Sequence, residues 1–337
     1  MDMVIDSPVD LSGVLASWTW APGWDLLVLL AVSAYAVLAG RSVRRGARWP
    51  VGRSAAAGSA ALALVLTMNG PLAVFAPALF WVHMLQHLML IMVVPVLVVY
   101  AQPLRLWRTV SAPRATARGR WFQRPVTSPM ATIPLYAAVL AGTHLTGFQE
   151  VMLGHMWVHE FESALYLVTG YLLFGGLVGA DLWPWRLPYL VRFATLGLTM
   201  GIDAFVGVVL MLTSDPIAPA FASRHPGWGP GALADQSAAG AVMWFGGDGL
   251  MMILMIATAI EWGRAGAKEQ SLGSWLEGIR SRELLGHLDV GEYVALGDVD
   301  DDDDDRALRT YNAMLARLHG SGDAGPQPRT QDEAPSR

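Results

Sequence analysis

The chain has 337 residues, of which 53% are hydrophobic and only 15% charged, whereas a soluble globular domain carries about a quarter charged residues. Cysteine is absent, which excludes disulfides, thiolate metal sites and iron–sulfur ligation and leaves His, Met, Asp and Glu as possible ligands. The net charge of −5 is set by local charge runs and says little, and no nucleic-acid partner is expected.

Residues 1–23 are acidic and lack the basic start of a signal peptide, so the first apolar segment reads as a retained span and the N-terminus as extracytoplasmic. A bilayer core needs about 20 mostly apolar residues per helix. Seven segments qualify: 24–40, 54–75, 78–101, 128–147, 151–179, 188–213 and 236–261. The expected fold is therefore all-α, a polytopic seven-transmembrane-helix bundle over 24–261 embedded in a lipid bilayer. Arginines alternate between the loops. Arg41, Arg44, Arg45, Arg48 and Arg53 follow the first span; Arg105, Arg108, Arg114, Arg118, Arg120 and Arg124 follow the third; Arg186 and Arg192 follow the fifth. The loops after spans two and four have no Lys or Arg, and the loop after span six has only Arg224. Short Arg-rich loops stay in the cytoplasm, so a bacterial plasma-membrane protein with an outside N-terminus and a cytoplasmic C-terminus is expected. Residues 262–320 form the polar tail. In it an acidic run, Asp300 to Asp305, precedes an amphipathic helical pattern of Leu308, Tyr311, Met314, Leu315 and Leu318, and 321–337 have a disordered composition.

Orientation turns scattered histidines into a group. His83 and His87 lie roughly 8 and 14 Å below the outer start of span three, at 1.5 Å per residue. Their four-residue spacing puts both rings on one face. Span four reaches His144 near its outer end, and span five carries His155 and His159, again four apart and again in the outer half. His225 lies in the outer loop between spans six and seven. Met84, Met152, Met156, Met211 and Met243 fall toward the same side, and Met152, His155, His159 and Glu162 share one stripe of span five. His and Met without Cys suit copper, and thioether favours Cu(I); imidazole also serves haem iron and zinc. A single intramembrane His is readily explained by hydrogen bonding within the bundle, and methionines fill apolar cores. Five histidines at one depth point instead to a metal or redox site, because polar groups there are costly.

Glu162, Asp203 and Asp248 lie deeper, near the middle of their spans, with no Lys or Arg at that depth. Two readings stand: protonated, hydrogen-bonded structural groups, or a proton or cation path linked to the histidines. The GGDG around Asp248 also permits close helix approach.

Three stretches carry a family resemblance. WVHMLQHLMLIMVVPVLVVYAQPL resembles the third-span signature of the CtaG-like cytochrome c oxidase assembly factors, the multi-span family associated with caa-type oxidases. THLTGFQEVMLGHMWVHEFESALYLVTGYLLF is similar to their next characteristic stretch and supplies His144, His155, His159 and Glu162. ADQSAAGAVMWFGGDG resembles their DQ…AG…MW segment through Asp235, Gln236, Gly240, Met243 and Trp244. One departure is HLTGF, where many members have a proline after His-Leu.

The resemblance implies seven helices and a role in forming active oxidase, with oxidase subunits as partners. Combined with the residues, it leads to an assembly factor without turnover of its own, which binds copper at the outer face for the oxidase copper centre. The expected ligand pool is His83, His87, His144, His155 and His159, with Met84, Met156 and Met243 as auxiliaries. Asp235, Gln236 and Glu162 are expected to support it by orienting a ligand or closing the cavity. The alternatives are a redox protein holding haem between histidines of spans three and five, and a copper or proton transporter using the buried carboxylates.

Overall fold

The computed structural model describes residues 11–110, 127–178, 187–224 and 228–268. The acidic run, the amphipathic tail pattern and His225 lie outside the described residues. Every regular element among them is a helix: α1 Leu11–Ala16, α2 Pro22–Arg44, α3 Val51–Asn69, α4 Pro71–Phe75, α5 Phe80–Leu88, α6 Val94–Ala101, α7 Pro103–Val110, α8 Pro129–His144, α9 Phe148–Gly154, α10 Met156–Val178, α11 Tyr189–Leu212, α12 Pro219–Arg224, α13 Ala232–Ala241 and α14 Gly247–Lys268. Two π-helical turns, Met89–Val93 and Val242–Gly246, join α5 to α6 and α13 to α14.

Among the described residues, six helical stretches are long and apolar enough to cross a membrane: Pro22–Arg44, Val51–Phe75, Phe80–Val110, Met156–Val178, Tyr189–Leu212 and Ala232–Ala265. The fourth expected span differs. Its helix, α8, has 16 residues and is about 24 Å long at 1.5 Å per residue, against a hydrocarbon core of about 30 Å. Exposed apolar side chains such as Leu26, Leu29, Leu30, Val168, Leu198 and Ile253 cover the outside, as suits a lipid solvent.

The π turn in the third span follows from its sequence. Pro95 has no N–H to give the Ile91 carbonyl, and its ring would crowd that carbonyl in a regular helix. The backbone widens instead, with Val94 N–H donating to Met89 O five residues back. Gly170 of α10 lies against this turn; a Cβ there would come within 1.9 Å of Ile91 O, so only glycine admits the approach. Helix α10 therefore packs on the π turn, on α6 and on α8, and α13 packs on α5 and α11. The histidine-bearing helices are thereby drawn into one group.

Both ends of the bundle are tied by polar contacts. At the Arg-rich end, buried Arg192 pairs with Glu261 at 2.9 Å, Tyr189 stacks on Trp262, and the Arg45 guanidinium donates to the Val110 carbonyl. At the opposite end, the Asn69 side chain accepts from Ala21 N–H at 2.8 Å and donates to Asp25 at 2.8 Å. There too, Glu150 accepts from Ala220 N–H at 2.8 Å and Arg224 donates to the Leu153 carbonyl at 2.9 Å.

Candidate metal centre

Helix α5 places His83 and His87 one turn apart, with ring centroids 4.1 Å from each other. Glu162 comes from α10, and its Oε2 lies 3.5 Å from His87 Nε2. One ligand atom from each of His83, His87 and Glu162 fall within 4.8 Å of one another, and all three residues are buried. Glu162 thus stands at the level of the histidines and among them, where the sequence had suggested a deeper, supporting position.

The distinguishing feature of this group is what it lacks. His83 Nε2, His87 Nε2 and both Glu162 carboxyl oxygens are buried without a hydrogen-bond partner. Buried polar atoms are normally paired, because leaving one unpaired costs about 1–3 kcal/mol. Two imidazoles and a carboxylate converging with unused lone pairs form a donor set that fits a cation.

His144 closes the group from α8. Its Nδ1 lies 2.9 Å from the Leu140 carbonyl, which can only accept, so that nitrogen carries the proton and Nε2 is bare. Nε2 faces His87 Nδ1 at 3.3 Å and Met84 Sδ at 3.1 Å. Thr143 contacts His144 Nδ1 at 3.0 Å and Tyr166 OH at 2.5 Å, which holds the ring from behind. His159 approaches from the start of α10, its ring centroid 6.0 Å from that of His83.

The other expected members are placed elsewhere. His155 sits in the break between α9 and α10 with extended backbone (φ −138°, ψ 110°). It is exposed, with its ring beside Trp157 and its Nδ1 at the Val151 carbonyl. The four-residue spacing to His159 does not bring both rings to one face, because no helix runs through both residues. Met156 is 82% exposed, and Met243 is buried in the apolar core. Met84 places its sulfur against a histidine of the group, 3.1 Å from His144 Nε2.

Asp235 and Gln236 act on backbone. The Asp235 carboxylate accepts from Phe80 N–H at 2.8 Å and Trp81 N–H at 3.0 Å, satisfying the free donors at the start of α5. It thereby aims the helix that carries His83 and His87. Gln236 accepts from Ile217 N–H at 2.8 Å and donates to the Leu210 carbonyl at 3.2 Å, clasping the loop after α11. Asp203 contacts Tyr136 OH at 2.8 and 3.0 Å, and a Cβ on Gly247 would reach within 3.0 Å of its Oδ2. Part of the GGDG stretch therefore makes room for that carboxyl. Asp248 is partly exposed, with a buried, unpartnered Oδ1.

Residues not singled out from sequence also belong here. Gln86 and Gln149 are buried, each with an unpartnered side-chain oxygen, and their amides donate to the Thr67 and Thr143 carbonyls. A glutamine three residues after His83 in an apolar span was the available signal for Gln86. A cleft of about 900 Å³ opens onto His83 and His159, with Gln86, Met152, Met156 and Glu160 also on its wall. Glu160 accepts from the Trp24 indole N–H.

Two relatives, uncharacterized proteins of Mycobacterium bovis and Mycobacterium tuberculosis, are each 29% identical over 327 residues, covering 93% of this chain and 46% of theirs. An uncharacterized protein of Mycobacterium leprae is 31% identical over 234 residues, covering 66% of this chain and 36% of its own. The chain thus spans less than half the length of these curated relatives. No solved structure matches it. Residues 33–265, which include every member of the histidine group, match the family model of the cytochrome c oxidase caa3 assembly factor. The chain belongs to the caa3-type cytochrome c oxidase assembly factor family.

Proposed function

We propose that the protein takes part in maturing a haem–copper oxidase by holding copper as cargo at the extracytoplasmic end of a seven-span bundle, without turnover of its own. The observation that carries this reading is the set of buried, unpartnered donors on His83, His87 and Glu162. His144 orients His87, His159 lies at the mouth of the group, and the cleft beside His83 offers a route from outside. Partners of this role are oxidase subunits that receive copper on the same side of the membrane.

The sidedness rests on charge. Arg41, Arg44, Arg45, Arg48, Arg105 and Arg108 follow the ends of spans one and three, at the opposite end from His83, and such loops remain cytoplasmic. The short α8 is the remaining crossing, since an odd number of spans puts residues 1–23 outside and the tail inside. A cysteine at Ser223 should be labelled by an impermeant maleimide in intact cells, and one at Ala47 only after lysis. The reverse pattern removes the extracytoplasmic copper reading.

The deciding experiment is metal analysis of the purified protein loaded with Cu(II), wild type against His83→Ala, His87→Ala and Glu162→Gln. Copper retained by the wild type and lost from the variants supports the reading; copper content equal in all four overturns it. A strong Soret band in place of copper would turn the histidines into haem ligands.

A further inference from the structure

We propose that His87 is shared by two donor sets of different softness, one at each ring nitrogen, so that Cu(I) is held on one side of the imidazole and a harder divalent cation, Cu(II) or Zn(II), on the other. The inference rests on the metal-binding reading above and divides its ligand pool.

One turn of α5 creates the division. Residues three and four positions before a helical residue both neighbour it, but on different sides. Met84 is three before His87 and His83 is four before it. On the Nδ1 side of His87 lies His144 Nε2 at 3.3 Å, itself 3.1 Å from Met84 Sδ. That set is two imidazole nitrogens and a thioether. On the Nε2 side lies Glu162 Oε2 at 3.5 Å, with His83 in the same group. That set is two imidazole nitrogens and a carboxylate.

Ion preference follows from ligand type. Thioether sulfur with imidazole selects Cu(I), whereas carboxylate with imidazole suits Cu(II) and Zn(II). Met84 is only 2% exposed, so its sulfur is an interior donor facing His144. His144 is already arranged to present a bare Nε2, because its Nδ1 is held at the Leu140 carbonyl. A neutral imidazole has one bare nitrogen and one N–H. With the proton of His87 on Nδ1, it is donated to His144 and Nε2 is free for the carboxylate set. With the proton on Nε2, it points at Glu162 and Nδ1 is free for the thioether set. The two sets therefore compete for the one ring and are occupied in turn, each by its own ion.

The test uses the full chain purified in detergent and loaded anaerobically with Cu(I), or separately with Zn(II). Stoichiometry, competition and X-ray absorption at the metal edge are the readouts. Wild type is expected to bind Cu(I) with a sulfur scatterer and Zn(II) with nitrogen and oxygen only, and Zn(II) preloading should suppress Cu(I) uptake because His87 is common. Met84→Leu should weaken Cu(I) by about tenfold or more and leave Zn(II) unchanged, with Glu162→Gln doing the opposite. His87→Ala should lose both. Uniform selenomethionine labelling of the wild type gives a copper–selenium signal without any substitution, should Met84→Leu fold poorly. A Cu(I) shell lacking sulfur or selenium, or equal weakening of both ions by Met84→Leu and Glu162→Gln, overturns the two-set proposal and leaves the copper reading standing. Binding of neither ion by the wild type overturns both.

Discussion

Two groups of buried polar side chains lie inside this bundle, and their atoms are treated in opposite ways. Around Asp235, Gln236 and Asp203, the side chains meet the groups they need: Asp235 takes two backbone N–H groups, Gln236 both accepts and donates, and Asp203 meets the Tyr136 hydroxyl. Around His83, His87 and Glu162, buried nitrogens and oxygens face one another unpaired. Both groups are made of residues that are expensive to place in a membrane protein. Satisfied groups explain themselves through helix positioning. Unsatisfied ones leave lone pairs converging among His83, His87 and Glu162, and the copper proposal rests on that convergence.

The comparison breaks or sharpens at particular residues. The largest effect is expected from His87→Ala, which removes the ring shared by the unpaired group: copper retention should be abolished while membrane insertion persists, as read by metal content in the solubilised protein. His83→Ala should follow it closely when the protein is loaded with Cu(II). If Asp203→Asn lowered copper content as much as either, the distinction between the two groups would fail, because Asn preserves the shape of that hydrogen-bonded site.

Tyr136→Phe tests the satisfied side directly. It leaves the buried Asp203 carboxyl without its hydroxyl partner, so stability should fall by about 1–3 kcal/mol with metal content unchanged. Thermal unfolding in detergent measures the first and metal analysis the second. Asp235→Ala should cost about 0.5–2 kcal/mol through loss of the helix-start acceptor. Because the same carboxylate aims α5, a modest fall in copper affinity should accompany it. The smallest effect is expected at His155→Ala and Met156→Ala: both residues are exposed, so stability should change by no more than about 0.5 kcal/mol, and copper content should stay at the wild-type level. Loss of copper from either would move the centre outward, toward the mouth of the cleft.

Much of this site was legible as a pattern. The third-span pair His83 and His87, and the arrival of His144 and His159 at the same end of neighbouring helices, followed from helical period and span direction alone. His155 did not, because apolar periodicity runs unbroken through 151–179. The break at that residue comes with α9, whose Glu150 and Leu153 are bound by Ala220 and Arg224 some 70 residues away. The short α8 was likewise hidden, since the apolar run from 128 to 147 continues past the residue at which the helix ends. Glu162 was read as deep because counting residues along α10 measures distance from its start. The helix begins at Met156 and not at 151, so Glu162 stands nearer its start, and Gly170 admits its close approach to the π turn at Ile91.

Composition and periodicity by themselves determined that this chain is a bundle of membrane helices, that most arginines between its spans lie at the end opposite the five span histidines, and that cysteine chemistry is excluded. These are properties of local sequence, fixed by the length of apolar runs and by the 3.6-residue turn. Tertiary structure decided which donors face each other. His87 lies one turn after both His83 and Met84 on its own helix, but what each ring nitrogen meets, His144 from α8 or Glu162 from α10, depends on three helices converging to within a few ångströms. No period within one helix encodes that distance. It is set by a proline that opens a π turn, a glycine that lets another helix approach, and an aspartate from α13 that holds the start of α5 in place.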